Sequence, residues 1–198
     1  MKKLLFLLVA GVAGTFSVAH AQIQKGNVMW GGDIMNADIG LNSGSGFDIN
    51  LSPKLGYFIK DNLAVGGYVN FGVSKAGTGF STKYIYGVGG FGRYYLSPGE
   101  HGIDNLLKHG RFFAEVNAGF AGQNQKGQPT TNGFNFGFGP GYAYFITPNV
   151  GLEGLIKYNG TVGGGNTTYL HQITFGLGFQ VYLPSSRIKN AIKDPSKL

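Results

Sequence analysis

In several segments of this chain, charged residues fall on the same alternate positions as glycine. The remaining residues of these segments are mostly apolar. In residues 47–59, Asp48 and Lys54 fall on the same alternate positions as Gly56. Alternate positions of a strand share one face, so these charges would point to one side of a sheet. The charges predicted on that face are Asp38, Asp48, Glu115, Glu153, Lys54, Lys83, Arg93 and Lys157. Buried charges must pair, and we therefore predict a closed ionic network, with a conducting path as the alternative.

Two groups containing histidine have residue types that could do chemistry. His171 could act as a base for Ser74 or Ser81, but no acid lies at a position that would orient it. A second group could ligate a metal and consists of Glu100, His101, Asp104 and His109. Its spacing matches no standard metal site, and the chain has no cysteine. We expect no catalytic residue, cofactor or metal, and we expect His171 to be an interfacial strand residue.

The stretch that best indicates the fold is residues 169–183. Its odd positions are almost all apolar, whereas its even positions are mostly glycine or polar residues. This period of two predicts a strand with one apolar face. The stretch is longer than a typical strand of about five or six residues. It fits a strand that crosses a bilayer in roughly nine to eleven tilted residues with additional interfacial ends.

Seven other segments alternate in the same way between tight turns and polar loops. They are residues 29–41, 47–59, 63–73, 82–96, 111–123, 133–145 and 150–159. Asp33 falls on the apolar side of the first segment, and Gly31 and Gly32 beside it indicate a bulge there. In the longest connection, residues 97–110, the pattern predicts one amphipathic helical turn at 103–108.

These segments predict an all-β fold, an eight-stranded antiparallel up-and-down transmembrane β-barrel. The even number of strands is typical of such barrels. Closure follows because an unpaired backbone group in hydrocarbon costs several kcal/mol. A soluble lipocalin-like barrel is the alternative, and it would turn its apolar residues inward around a ligand.

The two ends of the chain differ from its middle. Residues 1–21 have a basic start, a short apolar run and an Ala-His-Ala site, and they predict a cleaved secretory signal peptide. Residues 22–183 are assigned to the barrel. Residues 184–198 are predicted to be a basic, disordered periplasmic tail, with contact to anionic headgroups, peptidoglycan or a neighbouring subunit as the alternative. The net charge of +7 is too small in an exported protein to favour nucleic acid.

An internal repeat supports the strand count. Pro53, Tyr57 and Asn62 recur 87 positions later as Pro140, Tyr144 and Asn149 without a gap. The repeated unit is a strand, a tight turn and a strand, so strands two and three would correspond to strands six and seven. This predicts that a four-stranded half was used twice, with chance similarity of two hairpins as the alternative.

Aromatic residues are concentrated at both ends of the predicted strands. At the end with the tight turns they are Trp30, Tyr57, Tyr94, Phe112, Tyr144 and Tyr182. At the other end they are Phe47, Phe71, Tyr84, Phe134, Tyr158 and Tyr169. Two such rings are typical of the two membrane interfaces, and they favour the outward placement of the apolar face.

Three segments, at residues 52–68, 87–96 and 139–154, resemble the small outer-membrane β-barrel proteins common in the Bacteroidetes, which are similar in plan to OmpA and OmpX barrels. The resemblance implies an outer-membrane location and contact with lipid or lipopolysaccharide. It also implies the barrel-assembly machinery as a partner during biogenesis.

The function that we expect from this resemblance is non-enzymatic, namely an envelope role or that of an accessory subunit in an outer-membrane assembly. The alternatives are a narrow channel for small solutes and, because some such barrels deacylate lipid A, a lipid A-modifying enzyme.

Overall fold

The computed structural model describes residues 23–39, 45–77, 79–96, 110–163 and 169–184. They form eight strands: β1 (Asn27–Ile39), β2 (Ser45–Lys60), β3 (Leu63–Gly77), β4 (Lys83–Tyr95), β5 (Gly110–Gln125), β6 (Thr131–Thr147), β7 (Val150–Val162) and β8 (Tyr169–Pro184). The predicted signal peptide, the helical turn at 103–108 and residues 185–198 of the tail lie outside the described residues.

Each strand pairs antiparallel with the next, and β1 pairs with β8 to close the barrel. The predicted fold class is therefore confirmed. Closure leaves no strand edge unpaired, which is what a sheet in hydrocarbon requires. We call the end with the start of β1, the end of β8 and the tight turns at Asp61–Asn62 and Pro148–Asn149 the terminal end, and the opposite end the loop end. No helix among the described residues is long and apolar enough to cross a membrane.

The apolar set of each strand lies on the outside of the barrel. Leu177, Phe120 and Ile173 have exposed fractions of 73%, 68% and 67%, whereas the side chain of Arg93 inside is completely buried. The lipocalin-like alternative, in which the apolar residues face inward, is therefore wrong. A water-soluble surface rarely carries so large a continuous apolar area, and this one is suited to lipid chains.

The bulge in β1 lies later than the sequence indicated. The register shifts between Met35 and Asp38, where β1 has one residue more than β2, and it is regular at Gly31 and Gly32. Met29 and Asp33 consequently lie on the same face of β1, and both are buried inside the barrel. The prediction that Asp33 lies on the apolar side is wrong, because the phase changes after this residue and not before it.

The internal repeat is visible in the backbone. The β2–β3 hairpin has a register irregularity between Phe58 and Lys60, and the β6–β7 hairpin has one between Phe145 and Thr147, at the same offset of 87. The correspondence extends to a third strand, because Tyr95 N donates to Asn62 O and Tyr182 N donates to Asn149 O. Strands β2–β4 therefore match β6–β8 in position and hydrogen bonding.

Glycine leaves room for inward rings on neighbouring strands. Gly66 pairs directly with Phe91, and Gly89 pairs with Tyr68. A Cβ atom would lie 2.8 Å from a ring carbon of Phe91 at Gly66 and 2.7 Å from the hydroxyl of Tyr68 at Gly89, closer than atoms can approach. Glycines at these inward positions thus make space in a lumen that is only wide enough for side chains.

The chain before β1 closes the terminal end. Ile23 is buried against the interior apolar cluster, and its carbonyl accepts a hydrogen bond from Asn62 N at 2.8 Å. Lys25 N donates to the carboxylate of Asp61 at 2.7 Å, which holds this segment on the β2–β3 turn.

A charge on the outer face should cost most at mid-strand. We predict that Leu177→Arg lowers the free energy of unfolding in phospholipid vesicles by ~2–4 kcal/mol, whereas Ile146→Arg, near the end of β6, lowers it by ~0–1 kcal/mol. Urea unfolding followed by the fluorescence of Trp30, the single tryptophan, measures both values. Equal effects of the two substitutions would show that this face does not lie across a bilayer.

Candidate functional site

The interior of the barrel has three layers. Near the terminal end lies an aromatic layer that includes Phe58, Tyr95, Phe113, Phe145 and Tyr182. The middle layer, which we call the ionic cluster, consists of Asp33, Lys54, Arg93, Glu115, Glu153 and Lys157. The layer toward the loop end is a polar cavity of about 270 Å³, which we call the vestibule.

Arg93 joins two carboxylates across the lumen. Its Nη1 donates to Glu153 Oε2 at 2.7 Å, and its Nη2 donates to Glu115 Oε2 at 2.7 Å. Its Nε donates to the same Glu115 oxygen at 3.0 Å. Because the side chains of all three residues are at most 1% exposed, these charge-assisted hydrogen bonds form away from water.

Glu115 is the centre of the ionic cluster. Its Oε1 accepts from Lys54 Nζ at 2.8 Å and from Lys157 Nζ at 3.3 Å, in addition to the bonds from Arg93. Lys54 Nζ also lies 2.6 Å from Asp33 Oδ2. The cluster contains three acids and three bases, so it is neutral as a whole. Neutrality and close pairing of opposite charges are conditions under which buried charges are tolerated.

The aromatic layer is bonded to the cluster through two tyrosines. Arg93 Nη1 donates to Tyr95 Oη at 3.0 Å, and the Tyr182 hydroxyl donates to Glu153 Oε1 at 2.8 Å. The hydroxyls of Tyr95 and Tyr182 are 2.8 Å apart. The guanidinium carbon of Arg93 also lies 4.0 Å from the ring centroid of Phe113, a cation–π contact.

Tyr182 therefore does not belong to the outer aromatic ring, and that prediction is wrong. Its side chain is fully buried because the even positions of β8 face inward, the same set that carries the glycines. Trp30, Tyr57, Tyr94 and Tyr144 lie on the outer surface toward the terminal end, each with about half of its side chain exposed, and Phe112 is half-buried. Their placement at a membrane interface stays a prediction.

The structure assembles five of the eight charges that were predicted to pair. These are Lys54, Arg93, Glu115, Glu153 and Lys157. Asp48 and Lys83 line the vestibule instead, and no ion pair joins either to another described residue. The side chain of Asp38 lies outside the described part of the chain. Asp33 was missed as a member, because the alternation of β1 alone places it on the apolar side, whereas the structure buries it inside the barrel.

The structure separates His171 from Ser74, and it does not describe the second histidine group. His171 lies on the outer surface in contact with Tyr158, whereas Ser74 lies on the inward face of β3, opposite Asp48. Residues 100–109 lie outside the described part of the chain. Among the described residues, no group of three or more acids and histidines could hold a metal ion.

The chain matches no protein-family model, and no curated protein matches it in sequence. Among solved structures it is similar to Neisserial surface protein A, at 18% identity and a TM-score of 0.50, over 80% of this chain and 96% of that one. This likeness shows the fold. The chain has the fold of a small outer-membrane β-barrel.

Two other solved structures are similar over most of their length, both from Pseudomonas aeruginosa. The N-terminal β-barrel domain of OprF is 15% identical, with a TM-score of 0.49, over 80% of this chain and 98% of that one. The outer membrane protein OprG is 10% identical, with a TM-score of 0.49, over 84% of this chain and 99% of that one.

Removal of Arg93 should destabilise the barrel, because it leaves Glu115 and Glu153 without their shared base. We predict that Arg93→Leu lowers stability by about 3–5 kcal/mol. Loss of the compact band with temperature on unboiled gels measures this change. Lys83→Leu is the matched control, with an effect within about 0.5 kcal/mol. Adding Glu153→Gln to Arg93→Leu should restore part of the loss, and a double variant no more stable than Arg93→Leu would contradict the pairing.

Proposed function

We propose that this protein is a non-enzymatic integral barrel of the bacterial outer membrane, with a lumen closed by the ionic cluster. Its role is structural, in the integrity of the envelope or as an accessory subunit of an outer-membrane assembly. The observation that carries this proposal is the neutral ionic cluster, whose six members come from β1, β2, β4, β5 and β7 and whose side chains are at most 8% exposed.

The cluster supports a closed lumen for an energetic reason. A solute that passed through the centre would have to separate Glu115 from three bases at once, and each separated charge would stay buried. The aromatic layer and Ile23 fill the lumen between the ionic cluster and the terminal end. A narrow channel for small solutes, the alternative, would need these groups to move together.

The outer-membrane location is supported by three features. The apolar outer face suits lipid, the fold is that of outer-membrane barrels, and residues 1–21 have the pattern of a signal peptide. The proposed neighbours are outer-membrane lipid and lipopolysaccharide, and the barrel-assembly machinery during biogenesis. A Bacteroidetes-type relationship is part of this proposal and rests on the three resembling segments.

The alternative of a lipid A-modifying enzyme is less well supported. Such chemistry needs a nucleophile, a base and an acid in contact. Here His171 and Ser74 belong to opposite faces of the barrel wall, so the histidine cannot activate that serine. Proximity labelling of the native protein would distinguish the envelope role from membership of an assembly.

Conductance tests the closed lumen. We predict that the unaltered mature protein, inserted in planar bilayers, gives no stable conductance steps above the bilayer background. Insertion is checked independently by the compact band of reconstituted protein on unboiled gels. Reproducible ohmic steps from the inserted, unaltered protein would overturn the proposal and favour the channel.

A further inference from the structure

The positive charge at the loop end is confined to one sector of the barrel wall. Lys75 lies near the end of β3, Lys83 begins β4 and Lys126 follows β5, so these lysines come from consecutive strands. The other connections at this end carry no lysine or arginine, because residues 26–53 and 158–186 contain none. An anion that approaches the loop end is therefore attracted to the sector of β3–β5.

Two of these lysines lie on the outer side of the wall. Alternation along β3 places Lys75 with the outward residues, and Lys126 is exposed in the turn after β5. Neither forms an ion pair with another described residue. Lys83 instead faces the vestibule, where Asp48 lies two strands away in the same row. Because neighbouring strands are about 4.8 Å apart, the long, flexible side chains of Lys75 and Lys126 can reach one phosphate group.

The same sector has an apolar groove on its outer wall, between the lysines and mid-strand. The groove has a volume of about 400 Å³. Its sides are Phe71, Val88 and Phe120, each of which is more than half exposed, and its floor includes Gly87 and Gly133. A groove of this kind, in a wall that faces hydrocarbon, is suited to an acyl chain.

A row of hydrogen-bonding groups separates the groove from the lysines. Tyr86, Gly122 and Asn132 are paired in register across β4, β5 and β6. Because Gly122 has no side chain, the ring of Tyr86 lies across it, and the Tyr86 hydroxyl donates to Asn132 Oδ1 at 2.6 Å. Closer to the loop end, Asn124 Nδ2 donates to Thr130 Oγ1 at 2.7 Å. Asn124 and Asn132 are both exposed, so Asn132 Nδ2 offers a donor and Asn124 Oδ1 an acceptor on the outer wall.

These three levels, apolar, hydrogen-bonding and basic, favour one class of lipid. At the middle level a phospholipid presents ester carbonyls, which only accept hydrogen bonds. A phosphorylated glycolipid presents sugar hydroxyls and amides, which donate and accept. We propose that the outer wall of β3–β6 binds the lipid A part of lipopolysaccharide, with a phosphate at Lys75 and Lys126, sugar hydroxyls and amides at the row of Tyr86 and Asn132, and an acyl chain in the groove.

This site rests on the proposed outer-membrane location. The predicted periplasmic tail follows β8 at the terminal end, so the loop end lies in the outer leaflet, where lipopolysaccharide is the lipid that the barrel meets. The site lies on the outer wall and is separate from the vestibule and the ionic cluster.

Native mass spectrometry tests this inference. The mature chain is folded in micelles of tetraethylene glycol monooctyl ether, a detergent that has neither charge nor sugar. The probes are lipid A with its phosphates, the same lipid A after their enzymatic removal, and phosphatidylglycerol as an anionic phospholipid. We expect a saturable complex of one lipid A per chain in the micromolar range, with the other two lipids bound about tenfold or more weakly.

Substitution of the lysines locates the phosphate. Lys75→Gln combined with Lys126→Gln removes both amines and should weaken the binding of lipid A about tenfold or more. The matched control combines Lys25→Gln with Lys60→Gln, which removes two exposed amines at the terminal end. The control should bind lipid A like the unaltered protein.

A second pair of variants locates the acyl chain. Val88→Trp fills the groove without a change of charge and should also weaken binding. Ile173→Trp is its control, because Ile173 is exposed on β8, on the opposite side of the barrel. The compact band on unboiled gels checks that each variant folds. If a variant does not fold, the comparison of the three lipids on the unaltered protein decides.

Binding of lipid A that depends on its phosphates, is weakened by both site variants and is kept in both controls supports the site. Equal binding of phosphatidylglycerol or of lipid A without phosphates would overturn it, as would a folded Lys75→Gln/Lys126→Gln variant that binds like the unaltered protein. A mature chain that stays dissolved without detergent would overturn the outer-membrane location and this site together. A chain that inserts into phospholipid vesicles but does not prefer lipid A overturns the site alone.

Discussion

The structure depends on the mutual neutralisation of charges that are almost completely buried. Glu115 accepts from three bases and shares Arg93 with Glu153, and Lys54 also pairs with Asp33, so every charge of the ionic cluster has a partner. Removing any one member would leave a buried charge uncompensated. The cluster also bonds five strands across the barrel, and it separates an apolar layer at the terminal end from a polar cavity at the loop end. The lumen is therefore apolar on the terminal-end side of the cluster and polar on its loop-end side.

The repeat shows that the two halves of the barrel share geometry but differ in charge. Tyr95 and Tyr182 are 87 residues apart, occupy equivalent positions and meet at their hydroxyls. Two residues before them, Arg93 corresponds to Gln180, and both are fully buried. A second arginine at position 180 would add a fourth base to three acids. The two halves therefore keep the same strand and turn geometry but differ in charge, because the narrow lumen holds one neutral set.

Much of the fold could be predicted from the sequence, because alternation, turn residues and glycine act locally. The composition of the cluster was less predictable. Asp33 was missed because one extra residue between Met35 and Asp38 sets the phase of β1, and nothing in the composition marks that position. Asp48 and Lys83 face the lumen as predicted, but they lie nearer to the loop end than the ionic cluster does. The position of a residue along the barrel axis depends on the stagger between strands. The buried position of Tyr182 was indicated by the period of β8, but its residue type suggested an interface.

The most direct test of the central claim is proton exchange at the Lys54 ammonium group. An ammonium that is excluded from water and bonded to carboxylates exchanges its protons slowly, whereas an accessible one exchanges rapidly. The side chain of Lys54 is 2% exposed and contacts Glu115 and Asp33, whereas Lys83 lines the open vestibule. At neutral pH, the account predicts an observable ¹H–¹⁵N ammonium signal for Lys54 and none for Lys83. A Lys54 signal lost to exchange like that of Lys83 would contradict a closed, water-excluded cluster.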